Sequence, residues 1–484
     1  MAKSIMIQGA GSNVGKSMIV AGLGRVALRR GFSALPFKPQ NMSNNASVTI
    51  DGGEIGRAQA FQALACGADP HTDMNPVLLK PESETGCQIV VHGKRLTTIK
   101  ANQYSNYKKG LMGPVLESLS RLKERADLVI VEGAGSPAEV NLRKNDIANM
   151  GFATKANIPV IIIGDIDRGG VIAQLVGTKA VIDSLDAAFI KGFIINKFRG
   201  DPRLFDDGYK VIEKETGWRG LGVLPYFKNA MYFPAEDILD LKTPENSGSV
   251  KIACLILSRI ANFDDLDPLG LEKGVNLVLV KEGEALPGDC DLVIIPGSKS
   301  TFEDLHFLRR QGWDVDLLAH KRRGGKILGI CGGYQMLGVE IKDPRLIESS
   351  SIRIQGLGFL NVVTEMQPSK TLSKVTGEHL ATKTIFEGYE IHMGQTSGPD
   401  CDRPFCSLEN RFDGAISKDR QVFGSYVHGI FSSDNFRKSF LKGLDRNLVE
   451  TSDGYYDSLE NTLDELADHI ENNLDVTKIF EMAR

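Results

Sequence analysis

Gln8-Gly9-Ala10-Gly11-Ser12-Asn13-Val14-Gly15-Lys16-Ser17 follows a short apolar stretch, Ser4 to Ile7, and opens a helical run from Met18 to Arg30. A glycine-rich turn between a strand and a helix leaves backbone N–H groups at a helix N-terminus, where the helix dipole favours phosphate. Gly11, Asn13, Val14 and Gly15 are expected to form the cradle, with Lys16 neutralising β- and γ-phosphates and the Ser17 hydroxyl on Mg²⁺. The strict spacing G-x-x-x-x-G-K-[ST] is missed by one position, because Ala10 stands where its first glycine belongs and Gly9 lies one residue early. The bland alternative is a packing turn, and Val-Gly-Lys-Ser in this setting argues against it.

Outward from the loop, apolar strands alternate with helical runs, which implies right-handed crossovers and a parallel sheet. Ser33 to Phe37 ends at Lys38-Pro39-Gln40-Asn41-Met42-Ser43-Asn44-Asn45, a polar stretch at the strand end where open α/β sheets bind ligands. Lys38 and Asn41 are substrate-side candidates, set against a plain Asn/Ser surface turn. Leu128 to Val131 reads as a buried strand closed by Glu132, and a carboxylate there is costly unless paired or on a metal. Glu132 is therefore expected to join Ser17 as a Mg²⁺ ligand, in the role of a Walker-B carboxylate, with Asp51 as a weaker third. Pro159 to Gly164 leads to Arg168, a candidate clamp for phosphate or carboxylate. Phe189 to Ile195 leads to Asn196, placed for an adenine edge or as an ordinary turn asparagine.

A chain of 484 residues exceeds what one hydrophobic core usually serves. Two domains are expected: 1–235 for nucleotide, a linker at 236–249, a second domain at 250–443, and an acidic helical segment at 444–484. In that last segment Leu459, Leu463, Leu466, Ile470 and Leu474 recur at helical spacing, for a core or a docking face. A net charge of −4 gives no electrostatic reason for nucleic acid or an anionic membrane. Seven scattered cysteines without a C-x-x-C pair, and no apolar run of spanning length, point to the cytoplasm.

The second organising stretch is Gly329-Ile330-Cys331-Gly332-Gly333. G-x-C-x-G has the geometry of a nucleophile elbow, with sulfur for oxygen, presenting the thiol at a helix start. A buried structural cysteine is the common alternative for any cysteine taken alone. Backbone N–H groups of Gly332 and of the Gly297-Ser298 loop are the expected oxyanion hole. His428, in Tyr426-Val427-His428-Gly429-Ile430-Phe431, is the expected base. Glu390 and His392 share one strand face at period two.

These motifs together resemble the cobyrinate amidase group. The loop spacing is that of dethiobiotin synthetase-like P-loop proteins, and the elbow is similar to that of class I glutaminases. The resemblance runs over nearly the whole chain, through the stretch Lys38–Asn45, Gly53-Glu54-Ile55-Gly56-Arg57-Ala58-Gln59-Ala60, Asp165-Ile166-Asp167-Arg168-Gly169-Gly170 and Ile194–Asp201. It implies an α/β protein of two domains, each an open, mainly parallel sheet flanked by helices, the first dethiobiotin synthetase-like and the second a flavodoxin-like glutaminase. It also implies ATP, Mg²⁺ and glutamine as nitrogen donor, and a corrinoid as the small-molecule partner. The four stretches favour the branch that amidates the b, d, e and g carboxylates of adenosylcobyrinic acid a,c-diamide over the a,c-diamide branch. An amidoligase acting on another polycarboxylate, such as a cell-wall lipid intermediate, is the alternative enzyme, and a partitioning ATPase the alternative outside it. One departure stands out: class I glutaminases carry His-x-Glu, whereas here His428-Gly429-Ile430 lacks the acid. That departure implies a cysteine–histidine pair without a standard triad, with Glu390 as the candidate carboxylate to orient His428 from another strand. The sequence assigns no oligomeric state.

Overall fold

The computed structural model describes residues 2–82, 86–100, 104–235, 248–445, 448 and 454–484. Most of the expected linker, 236–247, lies outside the described residues. The chain divides into two units.

The first unit is built on six strands, β1 (Lys3–Gly9), β2 (Ala34–Phe37), β3 (Leu128–Glu132), β4 (Val160–Asp165), β5 (Ile190–Phe198) and β6 (Arg219–Pro225). They run parallel in the order β6-β5-β4-β1-β3-β2. Strands β1, β3 and β4 are buried almost throughout, and this gives the continuous apolar runs seen in the sequence. Helix α1 (Lys16–Arg29) follows β1. The order reverses at β1, which lies between β3 and β4, so the carboxyl ends of β1 and β3 open side by side.

The second unit centres on β7 (Val250–Leu255), β8 (Val275–Val280), β9 (Leu292–Ile295) and β10 (Lys326–Ile330), with helix α2 (Gly332–Leu337) after β10. A long antiparallel pair, β11 (Val363–His379) and β12 (Thr384–Ser397), precedes β13 (Ala415–Ile416) and β14 (Val422–Ser425). The central sheet has the order β8-β7-β9-β10-β14-β13, parallel except for the last pair. The ends of β7, β9, β10 and β14 therefore face one way, and each feeds a loop into the same region.

Two features depart from domains taken in sequence order. Residues Asn44–Val48 belong to the second unit although the chain on either side belongs to the first. The segment expected to stand apart at 444–484 is split, with Leu459–Arg484 in the first unit. Helix α3 (Tyr455–Asn473) lies on α1, and Leu459, Leu463, Leu466 and Ile470 are buried there. A Cβ on Gly22 would come 2.3 Å from Ile470 Cδ1 and 3.0 Å from Leu466 Cγ, so the two helices approach closely at that crossing. Arg25 pairs with Glu460 and Asp464, Arg29 with Asp468, and Arg30 with Glu471. The acidic face of α3 thus answers a basic face on α1. These surface pairs contribute little, and the apolar stripe carries the docking. Among the described residues no helix is long and apolar enough to cross a membrane.

Leu466→Ala empties a fully buried position on this seam and is expected to cost about 2–4 kcal/mol in chemical denaturation of the first unit. A loss below about 1 kcal/mol would show that α3 does not hold α1.

Candidate active sites

In the first unit the loop after β1 is shaped by close contacts. A Cβ on Gly9 would lie 2.6 Å from Val14 Cγ2 and 2.7 Å from the Gly11 carbonyl, so the early glycine is required where it stands. Gly15 caps α1 at φ +94°. Lys16 is buried, and its Nζ donates to the carbonyls of Gly11 (3.4 Å) and Gly135 (3.3 Å). Ser17 Oγ donates to Glu132 Oε1 at 2.8 Å.

Glu132 is 1% exposed and held on both oxygens. Lys38 Nζ reaches Oε1 at 2.9 Å and Gln62 Nε2 reaches Oε2 at 2.6 Å. A carboxylate removed from water needs this many donors. Asn196 Nδ2 donates to the Val14 carbonyl at 2.7 Å, and Lys197 Nζ reaches the Asn13 carbonyl at 2.5 Å. Asn196, a candidate for an adenine edge or an ordinary turn asparagine, braces the phosphate loop from β5.

Other candidates are placed differently. Asp51 accepts from the Thr72 hydroxyl (2.5 Å) and amide (3.2 Å) and faces His71, so its partners lie in the turn at 71–73 rather than at Ser17 and Glu132. That removes it from the metal set. Asn41 is buried, bonded to Gln59 Oε1 at 2.8 Å, and Lys38 is turned onto Glu132. Arg168 is exposed on the loop after β4. Among the described residues there is no group of three or more His, Cys, Asp or Glu able to hold a metal. The hydroxyl of Ser17 and the carboxylate of Glu132 are hard oxygen donors suited to Mg²⁺, an ion that takes few protein ligands and completes its shell with phosphate and water.

In the second unit, Cys331 follows β10 and caps α2 at φ 51°, ψ −106°, a strained position for a residue with a Cβ. Close packing on every side enforces the turn. A Cβ on Gly333 would come 2.0 Å from the Ile295 carbonyl, on Gly332 2.9 Å from the Ser298 amide nitrogen, and on Gly329 2.7 Å from the Gly333 carbonyl. The thiol donates to the Ile391 carbonyl at 3.5 Å, and its sulfur acts electrostatically on His428. Gly297 lies beside the same ring, where an added Cβ would be 2.8 Å from His428 Cε1. Gly297, Gly332, Cys331 and His428 thus converge.

His428 follows β14, is 1% exposed, and stacks on Tyr389 with ring centres 5.3 Å apart. Its Nδ1 meets Asp265 Oδ2 at 2.7 Å, and Asp265 Oδ1 accepts from the Gly429 amide at 2.5 Å. The orienting carboxylate is therefore Asp265, on the turn after β7. Glu390, expected in that role, is paired with Arg411 and lies 3.5 Å from His392 instead. Period two did put Glu390 and His392 on one face, and the other face of β12 carries Tyr389, which meets His428. Burial pulls the His428 pKa down, but the Asp265 charge and the Cys331 sulfur outweigh it and hold the imidazole well above its ordinary value.

Asp265 gave little signal in the sequence. Asn262-Phe263-Asp264-Asp265-Leu266-Asp267-Pro268 reads as a solvated acidic turn. Its position after β7, a strand paired on both sides, carries it to a histidine 163 residues away.

Comparison with known proteins matches residues 5–239 to the CobQ/CobB/MinD/ParA nucleotide binding domain and residues 251–436 to the CobB/CobQ-like glutamine amidotransferase domain. A cobyric acid synthase from Bradyrhizobium diazoefficiens is 65% identical over 484 residues, covering all of both chains. One from Rhodobacter capsulatus is 60% identical over 481 residues, 99% of this chain and all of the relative. One from Paracoccus denitrificans is 56% identical over 481 residues, with the same coverage.

A pKa raised on folding stabilises fully below the unfolded value, about pH 6.5 for histidine, and that contribution fades as pH rises through the folded value. Asp265→Asn is therefore expected to lower stability most near pH 6, with the gap to the parent narrowing toward alkaline pH in thermal melts. A gap that widens with pH would contradict the pairing.

Proposed function

The chain belongs to the cobyric acid synthase family, and from that membership we propose that it amidates the b, d, e and g carboxylates of adenosylcobyrinic acid a,c-diamide, giving adenosylcobyric acid. It is a glutamine-dependent ligase of cobalamin biosynthesis. The observation that carries the finer reading is one chain holding both a phosphate loop closed on Glu132 and a buried Cys331–His428–Asp265 set.

In the second unit, His428 takes the thiol proton and Cys331 Sγ attacks the glutamine amide carbon. The carbonyl electron pair moves onto oxygen, toward the N–H groups of Gly332 and the Gly297-Ser298 loop. His428 returns the proton to nitrogen, the C–N bond breaks, and ammonia leaves a thioester. Water, deprotonated by His428, then releases glutamate and the thiol. Asp265 fixes the imidazole tautomer and balances its positive charge through these steps.

In the first unit, a corrinoid carboxylate attacks the γ-phosphorus of ATP, ADP departs, and ammonia displaces phosphate from the acyl phosphate. An ionised carboxylate resists nucleophiles until phosphorylation gives it a leaving group. Lys16 and the amides of the loop bind and orient the phosphates, and Arg168 is an exposed cation for substrate carboxylates. Ser17 and Glu132 are the residues to hold Mg²⁺, which supplies charge neutralisation at the phosphates when bound. All seven cysteines are free, in keeping with a cytoplasmic enzyme.

Cys331→Ala is expected to lower glutamine-dependent amidation by about 10⁴-fold or more while ammonia-dependent amidation persists. Lys16→Ala is expected to lower both by about 10²-fold or more. The readout is the mass of the corrinoid product after turnover with ATP and Mg²⁺. Loss of both nitrogen sources in a folded Cys331→Ala protein would contradict separate sites for making and using ammonia.

A further inference from the structure

The imidazole of the second unit is held from more sides than its carboxylate. Asp265 takes Nδ1 of His428, and a Cβ on Gly297 would come 2.8 Å from Cε1, so that edge of the ring is closed as well. Tyr389 covers a face: the two rings lie 17° from parallel with centres 5.3 Å apart. Their backbones are tied too, the Tyr389 amide donating to the His428 carbonyl at 3.0 Å and the His428 amide to the Tyr389 carbonyl at 2.8 Å. This isolated bridge brings β12 hard against the chain after β14, where a Cβ on Gly388 would lie 2.5 Å from the His428 carbonyl oxygen. The Tyr389 hydroxyl in turn donates to Asp264, 3.4 Å from Oδ1 and 3.3 Å from Oδ2, and both residues are buried. Neighbouring acids of one turn therefore serve one ring pair, Asp265 on the imidazole and Asp264 on the phenol stacked against it.

An offset stack of this spacing holds the imidazole plane whatever its charge. In this site the charge changes, because His428 carries a proton between taking it from Cys331 and handing it to the leaving nitrogen. A cation close above an aromatic ring is attracted by its negative face, and the attraction grows where water is excluded. His428 is 1% exposed and Tyr389 8%. A phenol that donates to a carboxylate is also richer in electrons than a free one, which strengthens that face. The charged groups around the imidazole are Asp265 at Nδ1, the Cys331 sulfur, and Asp264 at the far end of the phenol.

We propose that Tyr389 is a positioning residue for the glutaminase: its ring fixes the plane in which His428 meets Cys331, and its π-face stabilises the imidazolium formed when the thiol gives up its proton. This rests on the thiol chemistry proposed above and adds a residue to it. Asp264 acts through Tyr389, as the anchor of the phenol.

The test measures glutamate release from glutamine by the full chain, with ATP, Mg²⁺ and adenosylcobyrinic acid a,c-diamide present throughout. Tyr389→Leu is expected to lower kcat about tenfold or more, with the glutamine KM little changed. The alkaline limb of its kcat/KM profile, where the imidazolium acid of the coupled cysteine–histidine pair is lost, is expected to move to lower pH by about half a unit or more. Tyr389→Phe keeps the face and is expected to return the limb to the parent's position, with most of kcat restored. A purely structural loss would lower the rate and leave the limb where it was. Should Tyr389→Leu fail to fold in thermal melts, a trifluorinated phenylalanine against phenylalanine at position 389 decides. The fluorinated ring has nearly the same shape and a much weaker negative face, so its limb is expected at lower pH. A folded Tyr389→Leu with parental kcat, a limb unmoved in the variant that decides, or a Tyr389→Phe limb displaced as far as that of Tyr389→Leu overturns the proposal. A parent that releases no glutamate from glutamine overturns the glutaminase reading, and this inference with it.

Discussion

A carboxylate withdrawn from water must be answered by charge and hydrogen bonds, and both sites in this protein are organised by that requirement. Glu132 ends a central strand at 1% exposure and gathers Ser17, Lys38 and Gln62 around its two oxygens. Asp265 is 2% exposed and gathers the His428 ring and the Gly429 amide. In each case the donors come from far along the chain, so satisfying the carboxylate fixes a loop that chemistry uses. The phosphate loop is tied to β3 through one, and the imidazole is set toward sulfur by the other.

Close approach is the second shared constraint. The elbow at Cys331 exists because Gly329, Gly332 and Gly333 let neighbouring backbone come where no Cβ would fit. The strained φ of Cys331 is held by that packing. At the opposite end of the chain Gly22 lets α3 lie against α1, so the last residues of the sequence finish the core beneath the first loop. Sequence order and spatial order therefore disagree at both 44–48 and 459–484.

What could be read from the residues alone follows from how local the signal is. Lys16, Ser17, Cys331 and their glycines sit in contiguous motifs whose spacing encodes a turn, and the structure places them in those turns. Glu132 was visible as a charge where a strand should be apolar. Asp265 was not, since an acidic run after a strand has the same composition whether it faces water or a histidine. Glu390 misled because a shared strand face says which residues are neighbours along the strand, not which lie across from it. Asp51, named as a third ligand, is drawn to Thr72 and His71. The stripe on α3 announced a buried face, while its partner depended on the three-dimensional course of the chain.

The most direct measurement is turnover of adenosylcobyrinic acid a,c-diamide with ATP, Mg²⁺ and glutamine labelled with ¹⁵N at the amide, read by mass spectrometry of the corrinoid. The account predicts labelled amides at the b, d, e and g positions, formed only with ATP present. Label released as free ammonia with the corrinoid acids unchanged would contradict it.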